Sequence, residues 1–466
     1  MADVILICPP YSRIIYGKAK IKVGVPINPL LNLALLASPP IKADFKPKIL
    51  DLNLIDDCDS FLRQEILNEK PKFAGFTFTT PLFQESTRLA RIIKEIDANV
   101  KLIAGGPHAT TFPEEILENS PFDIIAIGES DFVIKDLLEL PIEDVQGIVF
   151  KKDGAIVRNE RHKRIDDLDT LPFPAWNLYD LSKYNTPSLS NIASPPGYLE
   201  TSRGCPWNCV FCNKNIHGFK FRMKTPERVV DEIEYMLKAG FKEINLIDDT
   251  FNADIVRAKL ICEEIIRRGI KFPWHPNNGI RVDRVDRELF SLMKKSGCYT
   301  VSFGLESGNQ TILDNINKGI KLEQSEQAVR LARLEGMETF GFFMLGLPGE
   351  TEKTMQDTIN FAKRLRLDVA KFNITIPLPG TKMFREWEAT GNIKTKDWSK
   401  YNYYSPYEDI YDHPTLSHDI LNKYYRKAFL SFYFSPSLLL RRLVGGIKRK
   451  TILRDIKLFF QTNWLS

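Results

Sequence analysis

Residues 201–212 read Thr-Ser-Arg-Gly-Cys-Pro-Trp-Asn-Cys-Val-Phe-Cys, and the rest of the chain is organised around them. Three of the seven cysteines, Cys205, Cys209 and Cys212, fall in this stretch with the spacing CxxxCxxC. One loop can therefore bring three thiolates onto one inorganic core, and the spacing suits a 4Fe-4S cluster. Because such a cluster has four irons, three thiolates leave one iron free to bind a small molecule directly.

Two other uses of these cysteines stay open at this point. A structural zinc site needs a fourth ligand, and His217, five residues after Cys212, could supply it. A disulfide is less favoured, because the cysteine count is odd and no signal peptide precedes the chain. These features predict a protein of the reducing cytoplasm. A non-catalytic zinc or scaffold protein is the alternative from another class.

The cysteine motif resembles that of the radical S-adenosylmethionine (SAM) superfamily. Phe211 precedes the last cysteine, a short apolar strand at 197–200 precedes the motif, and a series of strand and helix patterns follows it. The resemblance implies that Cys205, Cys209 and Cys212 hold the cluster and that SAM chelates the open iron. One electron from the cluster then cleaves SAM to a 5′-deoxyadenosyl radical. Phe211 would supply an apolar wall beside SAM.

The composition is that of a soluble globular protein. The chain has 466 residues, 43% hydrophobic and 26% charged, which is enough for two or three domains with their own cores. Its net charge of +5 is concentrated at the C-terminus, where residues 423–466 hold ten Lys or Arg against one Asp. No uninterrupted run of about 18 apolar residues occurs, so a membrane-spanning helix is not expected.

Residues 1–145 alternate strand and helix patterns. Short apolar runs that stop at polar residues or proline predict five strands, at 4–8, 48–51, 73–78, 101–104 and 123–127. Amphipathic patterns predict helices between them, for instance at 82–96 and 113–117. The expected fold class is therefore α/β, with a doubly wound, Rossmann-like parallel sheet as the first domain.

Ligands of such sheets bind at the carboxyl ends of the strands. Small and polar residues follow three of the predicted strands, at 77–80, 105–110 and 128–131. Residues of these types also merely finish strands in flavodoxin-like folds, so composition alone does not fix a ligand.

Together with the cysteine motif, this domain resembles that of cobalamin-binding radical SAM enzymes. The resemblance implies that these loops contact the nucleotide tail and corrin of cobalamin, through Thr79, Thr80, Gly105, Gly106, His108, Gly128 and Glu129. The chain lacks the Asp-x-His-x-x-Gly motif that supplies a cobalt ligand in the methionine synthase type of domain. Cobalamin is therefore expected to bind without a histidine ligand, and His108 is expected to pack on the cofactor or on neighbouring backbone.

A hairpin pattern with an Asp-Gly turn at 147–157, followed by a proline-rich stretch, predicts a linker. The expected divisions are 1–145 for cobalamin binding, 146–195 for the hairpin and linker, 196–390 for the radical SAM domain, and 391–466 for a mainly helical cap with a basic amphipathic tail.

The second domain again alternates strands and helices. Its strands are predicted to start at Tyr198 and to continue at 243–247, 274–280, 300–303, 339–345 and 369–376. Six strands, each followed by a helix, suggest the open (β/α)6 partial barrel of the superfamily. The cysteine loop follows the first strand and so lies at the carboxyl mouth, where barrels place their chemistry.

Residues at the other strand ends become candidate contacts to SAM by this resemblance. Asp248 and Asp249 would meet its amino group, and Arg281 would meet its carboxylate. The fourth and fifth strands end in further candidates: Glu306, Ser307, Leu345 and Gly346. Each is weak evidence alone, because an isolated Asp-Asp or Gly-Leu-Glu-Ser usually caps a helix. Arg203 could lie between cluster and cobalt, or clamp a phosphate or the backbone.

Residues 391–466 carry less chemical information. An aromatic cluster either shapes the barrel mouth or packs in the core: Trp398, Tyr401, Tyr403, Tyr404 and Tyr407. Beyond residue 423, bases interleave with leucine and aromatic residues, which suits the interface of an anionic membrane. A nucleic-acid arm and a helical cap are the alternatives.

The resulting hypothesis is a cobalamin-dependent radical SAM methyltransferase that acts on an unactivated carbon through a 5′-deoxyadenosyl radical. Its cofactors would be a 4Fe-4S cluster, SAM and cobalamin. Its expected partners are a small-molecule substrate, such as a lipid or isoprenoid, and an electron donor such as flavodoxin or ferredoxin, with no nucleic acid. The expected location is cytoplasmic, with peripheral contact to the inner face of the membrane.

Two rival reactions belong to the same class. A radical SAM cyclase or oxidoreductase without methyl transfer is an alternative that the sequence does not separate. Methylthio transfer is disfavoured, because it would need three cysteines ahead of the barrel and only Cys8 and Cys58 are available.

Overall fold

The computed structural model describes residues 1–16, 27–160, 164–184, 191–402, 405–436 and 438–440. The strands are β1 (Val4–Cys8), β2 (Pro47–Asp51), β3 (Phe73–Thr77), β4 (Lys101–Gly105), β5 (Ile124–Ala126), β6 (Ile148–Lys152), β7 (Ala155–Arg158), β8 (Pro196–Leu199), β9 (Ser202–Arg203), β10 (Arg222–Met223), β11 (Glu243–Leu246), β12 (Trp274–Pro276), β13 (Thr300–Glu306), β14 (Glu338–Leu345) and β15 (Val369–Ile374). The α-helices are α1 (Tyr11–Tyr16), α2 (Leu31–Lys42), α3 (Cys58–Glu69), α4 (Phe83–Ile96), α5 (Pro107–Thr111), α6 (Pro113–Asn119), α7 (Val133–Glu139), α8 (Pro226–Ala239), α9 (Ile255–Arg267), α10 (Arg287–Lys295), α11 (Gln310–Asn315), α12 (Leu322–Leu334), α13 (Glu352–Arg364), α14 (Lys382–Ala389) and α15 (His418–Tyr433).

An N-terminal sheet has the strand order β2-β1-β3-β4-β5-β6-β7. Its first five strands are parallel, which confirms the doubly wound α/β fold expected from the sequence. Side chains of β1 alternate between the faces: Ile5 and Ile7 pack with α3 and α4, whereas Val4 and Leu6 pack with α2 and α7. Because both faces are buried, these strands appear in the sequence as continuous apolar runs.

The hairpin β6–β7 corrects one predicted boundary. β6 pairs antiparallel with β5, with Ile125 opposite Val149, so the hairpin completes the N-terminal sheet instead of opening a linker. Its turn forms as predicted, since Asp153 and Gly154 have φ of 50° and 80°, the left-handed pair of a type I′ turn. The N-terminal domain therefore extends through β7.

Helix α2 is an element that the sequence patterns do not indicate. Two prolines lie near its end, where the missing amide hydrogens normally stop a helix. Burial stabilises it instead, because Leu33 and Ala37 pack against the N-terminal sheet while Leu31 and Ala34 join the core of the second domain. The helix thus lies between the two domains.

The second domain is a partial barrel of six parallel strands, as predicted. One sheet contains β8, β11 and β12, and another contains β13, β14 and β15. Two parallel bridges, Trp274 with Cys298 and Ile280 with Phe303, join the sheets into one arc. Apolar faces of the intervening helices complete a single core. The loops that follow the strands meet at the carboxyl mouth of this arc.

The described residues of the C-terminal aromatic cluster pack in the core. Trp398, Tyr401 and Tyr407 are buried, and Trp398 stacks on Phe112 of the N-terminal domain with ring centroids 4.9 Å apart. Tyr403, Tyr404 and the basic tail from residue 441 onward lie outside the described residues. Within the described ranges, each helix is too short or too polar to cross a membrane.

Candidate functional site

Two cavities meet at the loop that carries the cysteines. The sheet cavity, of about 460 Å³, is formed by the ends of β3, β4 and β5, by α2 and by residues 213–218. The barrel cavity, of about 390 Å³, lies at the mouth of the partial barrel and is lined by all three cysteines of the motif. Asn213, Lys214 and Asp249 line both cavities. Groups bound in the two cavities can therefore approach each other.

The base of the cysteine loop is held tightly. β9 pairs with β10 across it. Gly204 has φ of 83°, and a Cβ there would lie 2.2 Å from the carbonyl oxygen of Lys220, so only glycine fits. The Thr250 hydroxyl donates to the Cys205 sulfur at 3.4 Å. These contacts fix the position of the first cysteine.

The three cysteines are free thiols at the barrel cavity. Cys205 and Cys209 are buried, and Cys212 is half-buried. A hydrogen bond from Cys212 lowers the pKa of Cys209 to about 6 against the effect of burial, with help from the positive charges of Lys318 and Arg281. The same contact, together with burial, raises the pKa of Cys212, so the thiolate, which is the form that ligates iron, is favoured at Cys209 of this pair.

The zinc alternative lacks its proposed fourth ligand at the cysteines. No three His, Cys, Asp or Glu side chains in the described ranges are close enough to hold a single metal ion. His217, the fourth ligand in the zinc alternative, lies in the sheet cavity, where its Nδ1 is 3.0 Å from Glu129 Oε1.

Four of the eight predicted SAM contacts line the barrel cavity: Phe211, Asp249, Arg281 and Glu306. Asp249 Oδ2 accepts from the Gly204 amide at 2.9 Å, which ties this carboxylate to the cysteine loop. Glu306 accepts from Lys318 Nζ at 2.7 Å and has φ of 59°, a left-handed conformation that is uncommon for a residue with a side chain. Backbone strain of this kind concentrates at binding sites.

Asp248 lies outside the cavity lining. Its buried carboxylate accepts from the amide and hydroxyl of both Thr201 and Ser202. Burial raises the pKa of Asp248, although these donors and Arg257 oppose the rise. The geometry assigns Asp248 to holding the start of the cysteine loop, and the adjacent Asp249 is the carboxylate that faces the cavity.

Arg281 lines the cavity, but its donors are already engaged. The guanidinium binds Asp283 with two hydrogen bonds, at 2.8 and 3.1 Å, and lies over the Trp207 ring at 3.9 Å. It also donates to the carbonyl oxygens of Lys318 and Gly319. The predicted contact of Arg281 to the SAM carboxylate would require these bonds to rearrange and stays a prediction. Lys318 is a further cation that lines the cavity. No strand-end position or motif marks Lys318 in the sequence.

Three of the predicted SAM contacts lie at the ends of β13 and β14 but do not face the barrel cavity. The Ser307 hydroxyl lies 3.1 Å from that of Thr358, and Leu345 packs in the core. Gly346 donates its amide to Glu350, so these three residues lie behind the cavity wall. Met344 lines the cavity instead. The alternating burial along β14 is the signal that could have found it.

The sheet cavity contains four of the seven predicted cobalamin contacts: Gly105, Gly106, Gly128 and Glu129. Gly106 has φ of 98°, and a Cβ there would lie 2.8 Å from the Phe78 carbonyl oxygen. The cavity continues between the sheet and helices α2 and α7, where its walls are apolar. Thr79 and Thr80 lie outside the lining, whereas Thr77 is part of it.

His108 packs in an aromatic group and does not line the cavity. Its ring lies 5.0 Å from that of Phe83, 5.3 Å from that of Phe112 and 5.4 Å from that of Trp398. Neither ring nitrogen has a hydrogen-bond partner among the described residues, and burial lowers the pKa of His108 to about 3. His108 was expected to pack on the cofactor or on neighbouring backbone. In the structure it packs on aromatic side chains, including Trp398 of the C-terminal segment.

A buried ion network joins the N-terminal domain to the cysteine loop. Arg203 binds Asp131 through two hydrogen bonds, at 2.8 and 2.9 Å. Glu129 binds Arg222 and His217, which lower its pKa to about 2 against the opposing effect of burial. Arg203 is therefore a clamp between the cysteine loop and the N-terminal domain that acts through a carboxylate, which differs from the predicted clamp on a phosphate or the backbone. It also lines the sheet cavity, and its predicted place between cluster and cobalt stays a prediction. The ion pairs of Asp131, Arg222 and His217 were not predicted, because their partners lie far away in the chain.

The fold and the site together define an iron–sulfur enzyme in which a second cofactor cavity adjoins the cluster loop. Comparison with known families agrees with this class. The model of the radical SAM superfamily matches residues 199–362, and that of the B12 binding domain matches residues 28–138.

Individual proteins extend the similarity to the whole chain. An uncharacterized methyltransferase of Pyrococcus horikoshii is 32% identical, with 98% of this chain and 99% of that protein covered. The anaerobic magnesium-protoporphyrin IX monomethyl ester cyclase of Rubrivivax gelatinosus is 29% identical over 83% of this chain and 71% of its own. The structure of TsrM, a radical SAM methyltransferase of Kitasatospora setae with cobalamin and a 4Fe-4S cluster bound, superposes with a TM-score of 0.68 at 21% identity, covering 85% of this chain and 79% of that one.

The chain belongs to the cobalamin-dependent radical SAM methyltransferase family. The family confirms the three cofactors expected from the sequence: a 4Fe-4S cluster, SAM and cobalamin. Membership of this family also confirms that the protein is an enzyme of the radical SAM class. The alternative of a non-catalytic zinc or scaffold protein is therefore rejected.

Proposed function

We propose that the protein transfers a methyl group to an unactivated carbon of a small-molecule substrate, with SAM and substrate in the barrel cavity and cobalamin in the sheet cavity. The observation that carries this proposal is the junction of the two cavities at Asn213, Lys214 and Asp249. A methyl donor in one cavity can there approach a carbon radical in the other. Orientation of two reactants at close range is a large part of such catalysis.

When bound, the cluster and SAM supply a 5′-deoxyadenosyl radical, and cobalamin supplies the methyl group. The residues of the chain bind and orient these groups. Cys205, Cys209 and Cys212 would hold the cluster at the mouth of the barrel.

Charges in the barrel cavity match the two ends of SAM. Burial alone would lower the pKa of Lys318, but Glu306 and Cys209 raise it, so this side chain stays a cation that can meet the SAM carboxylate. Asp249, fixed against Gly204, is the anion that can meet the amino group. Glu306 can accept from the ribose hydroxyls.

The sheet cavity suits a flat ring with an extended tail. Gly105, Gly106 and Gly128 allow the backbone to approach a ligand closely. The apolar recess beside Leu6 and Ile103 can take the base of the nucleotide tail. No residue of this cavity is assigned as a cobalt ligand.

Several apolar residues also line the barrel cavity, and they would contact the substrate and exclude water: Trp207, Phe342, Met344, Ile376 and Leu378. Exclusion of water and of other hydrogen donors protects a reactive radical from side reactions. This lining supports a substrate with an apolar part at the reacting carbon.

The test is anaerobic reconstitution with iron, sulfide and hydroxocobalamin, followed by reductant and SAM with a trideuterated methyl group. We expect 5′-deoxyadenosine and transfer of the labelled methyl to cobalamin, both detected by mass spectrometry. Cys205→Ala should lose the cluster and the 5′-deoxyadenosine. Cys262→Ala is the matched control, because Cys262 is buried in α9 outside both cavities. A cluster-loaded protein that binds no cobalamin, or cobalamin that never acquires the label, would refute the proposal.

Radical cyclisation without methyl transfer is the second candidate, favoured by the similarity to the Rubrivivax gelatinosus cyclase. The same labelled SAM separates the two. Methyl transfer yields a product that carries the deuterium label, whereas cyclisation yields 5′-deoxyadenosine and an unlabelled product.

We further propose that the basic tail contacts an anionic membrane, which would suit a lipid or isoprenoid substrate. Residues 423–466 hold ten Lys or Arg and one Asp. Truncation after residue 440 leaves α15 complete and should abolish flotation with phosphatidylglycerol vesicles. Binding that persists after truncation would contradict this proposal, and phosphatidylcholine vesicles are the control for charge.

The electron donor that we propose is a flavodoxin or ferredoxin, because the cluster needs one low-potential electron per SAM cleaved. Reduced flavodoxin should support formation of 5′-deoxyadenosine in place of the chemical reductant. Failure with both protein donors, while the chemical reductant works, would argue for another donor.

A further inference from the structure

Lys371 is a cation on the inner face of the last barrel strand. On β15, Ala370, Phe372 and Ile374 pack in the core on the side of the helices. Because neighbouring residues of a strand point to opposite faces, Lys371 and Asn373 face the lumen, the space that the six strands partly enclose. Asn373 confirms this orientation, since it lines the barrel cavity.

The lysine lies directly below the barrel cavity. It precedes Asn373 by two residues, so their Cα atoms lie about 7 Å apart and Lys371 is the deeper of the two. On the neighbouring strand it is opposite Phe342, which also lines the cavity. The ring of Phe342 lies 5.0 Å from that of Phe340 on the same face of β14. An apolar wall therefore runs from the cavity down to the level of the Lys371 backbone.

The charge of Lys371 is not compensated, in contrast to that of two cations at the mouth of the barrel. Lys318 is paired with Glu306 at 2.7 Å, and Arg281 is paired with Asp283 at 2.8 Å. Among the residues that the structure describes, neither a carboxylate nor another hydrogen-bond acceptor binds Lys371.

The surroundings of the Lys371 ammonium favour an anionic ligand. The side chain is exposed to solvent, yet the neighbouring protein desolvates its ammonium enough to lower the pKa of Lys371. An anion bound there would reverse this shift, because an opposite charge nearby favours the charged form.

We propose that Lys371 determines substrate specificity by binding an anionic head group, a carboxylate or a phosphate. The apolar part of the substrate would then run past Phe340 and Phe342 to the reacting carbon in the barrel cavity. This assignment rests on the proposed function, in which that cavity holds the substrate, and it names the substrate class as an amphipathic organic anion. A charge-assisted hydrogen bond at one end of the chain selects the carbon that reaches the radical.

The test is isothermal titration calorimetry of full-length protein reconstituted with cluster and cobalamin, without reductant. SAM is present so that its carboxylate, and not the probe, occupies Lys318. The probes are octyl phosphate, octanoate and 1-octanol, which share one apolar chain and differ in the head group. At least one of the two anions should bind the wild type about tenfold to a hundredfold more tightly than 1-octanol does. The anion that binds more tightly distinguishes a phosphate from a carboxylate head group.

Three variants assign this preference to one side chain. Lys371→Met and Lys371→Gln should bind the anions no more tightly than 1-octanol, whereas Lys371→Arg should keep most of the preference. Lys353→Met is the matched control, because it removes the same charge from an exposed position of α13. It should leave all three affinities unchanged.

Three results would overturn the proposal. The first is a wild type that binds neither anion more tightly than 1-octanol. The second is an undiminished preference in Lys371→Met and Lys371→Gln proteins with full iron content. The third is an equal loss in Lys353→Met, since net charge would then explain the effect. Because these measurements involve no turnover, each failure leaves the proposed methyl transfer intact. Cobalamin that never acquires the methyl label would instead count against the proposed function, whatever the probes show.

Discussion

Glu350→Gln is expected to stabilise the protein at alkaline pH. Glu350 is almost fully buried, and its Oε2 accepts the amides of Gly346 and Leu347 at the end of β14. Its Oε1 has no hydrogen-bond partner in the described ranges. Burial therefore raises the pKa of Glu350 from 4.5 to about 7, although the two amides oppose the rise.

The direction of this pH dependence follows from the protonation of Glu350 in the folded and in the unfolded chain. Below pH 4.5 the carboxyl is protonated in both the folded and the unfolded chain, so it contributes no difference. As pH rises from 4.5 to 7, the unfolded chain releases its proton first and the folded state loses stability. Each pKa unit corresponds to about 1.4 kcal/mol, so the folded state is destabilised by about 3 kcal/mol above pH 7. Glutamine keeps an oxygen for the two amides and cannot ionise.

The assay is the unfolding midpoint of the cofactor-free protein at pH 5 and pH 8, because bound cofactors would add their own stabilisation. Glu350→Gln should unfold a few degrees higher than the wild type at pH 8 and at nearly the same temperature at pH 5. Glu352→Gln is the matched control, since Glu352 is exposed on α13 and should show no such gain at pH 8. A stability difference between Glu350→Gln and the wild type that is independent of pH would refute the reasoning.

Three further outcomes are expected from the site. Gly204→Ala should lower the iron content of reconstituted protein severely, because its Cβ would lie 2.2 Å from the Lys220 carbonyl oxygen; full iron content would contradict this. Asp131→Ala should destabilise the protein by about 2 kcal/mol in denaturant unfolding, because it removes the two hydrogen bonds of Asp131 to the buried Arg203 guanidinium, which keeps Glu200 at 2.6 Å; an unchanged midpoint would count against the clamp. His108→Phe should leave cobalamin content unchanged by absorbance and gain stability over the wild type at pH 5, since the folded state disfavours the charged imidazole that the unfolded chain gains below pH 6.5; lost cobalamin would return His108 to the cofactor site.

The fold was predictable because its signals are local. Runs such as 4–8 are apolar throughout, since both faces of the parallel sheet are covered, and glycines and prolines mark where the runs stop. The hairpin at 148–158 was also visible, but its pairing with β5 was not. A turn sequence specifies a local geometry and not the strand that the hairpin joins.

The site was predictable in outline and less so in detail. Strand ends mark the right edge of each sheet, so Asp249 and Glu306 fall in the barrel cavity. Adjacent residues of a strand place their side chains on opposite faces of the sheet. Leu345 is therefore buried, whereas Met344 lines the barrel cavity. Arg281 has the right charge and position, but Asp283 takes its donors, and a sequence does not show which ion pairs form.

Long-range pairs also decide how the two cavities are placed relative to each other. Asp249 lines both cavities and accepts from the Gly204 amide, so the carboxylate at the junction is bonded to the residue directly before the first cysteine of the motif. Arg203, the residue before Gly204, is bound to Asp131 at the end of the N-terminal sheet. Residues 203–204 thus connect the cluster loop to the barrel through Asp249 and to the cobalamin-binding domain through Asp131. The backbone at residues 203–205 therefore helps to fix the two cavities relative to each other, and it does so through the buried arginine and the glycine that stand directly before the first cysteine.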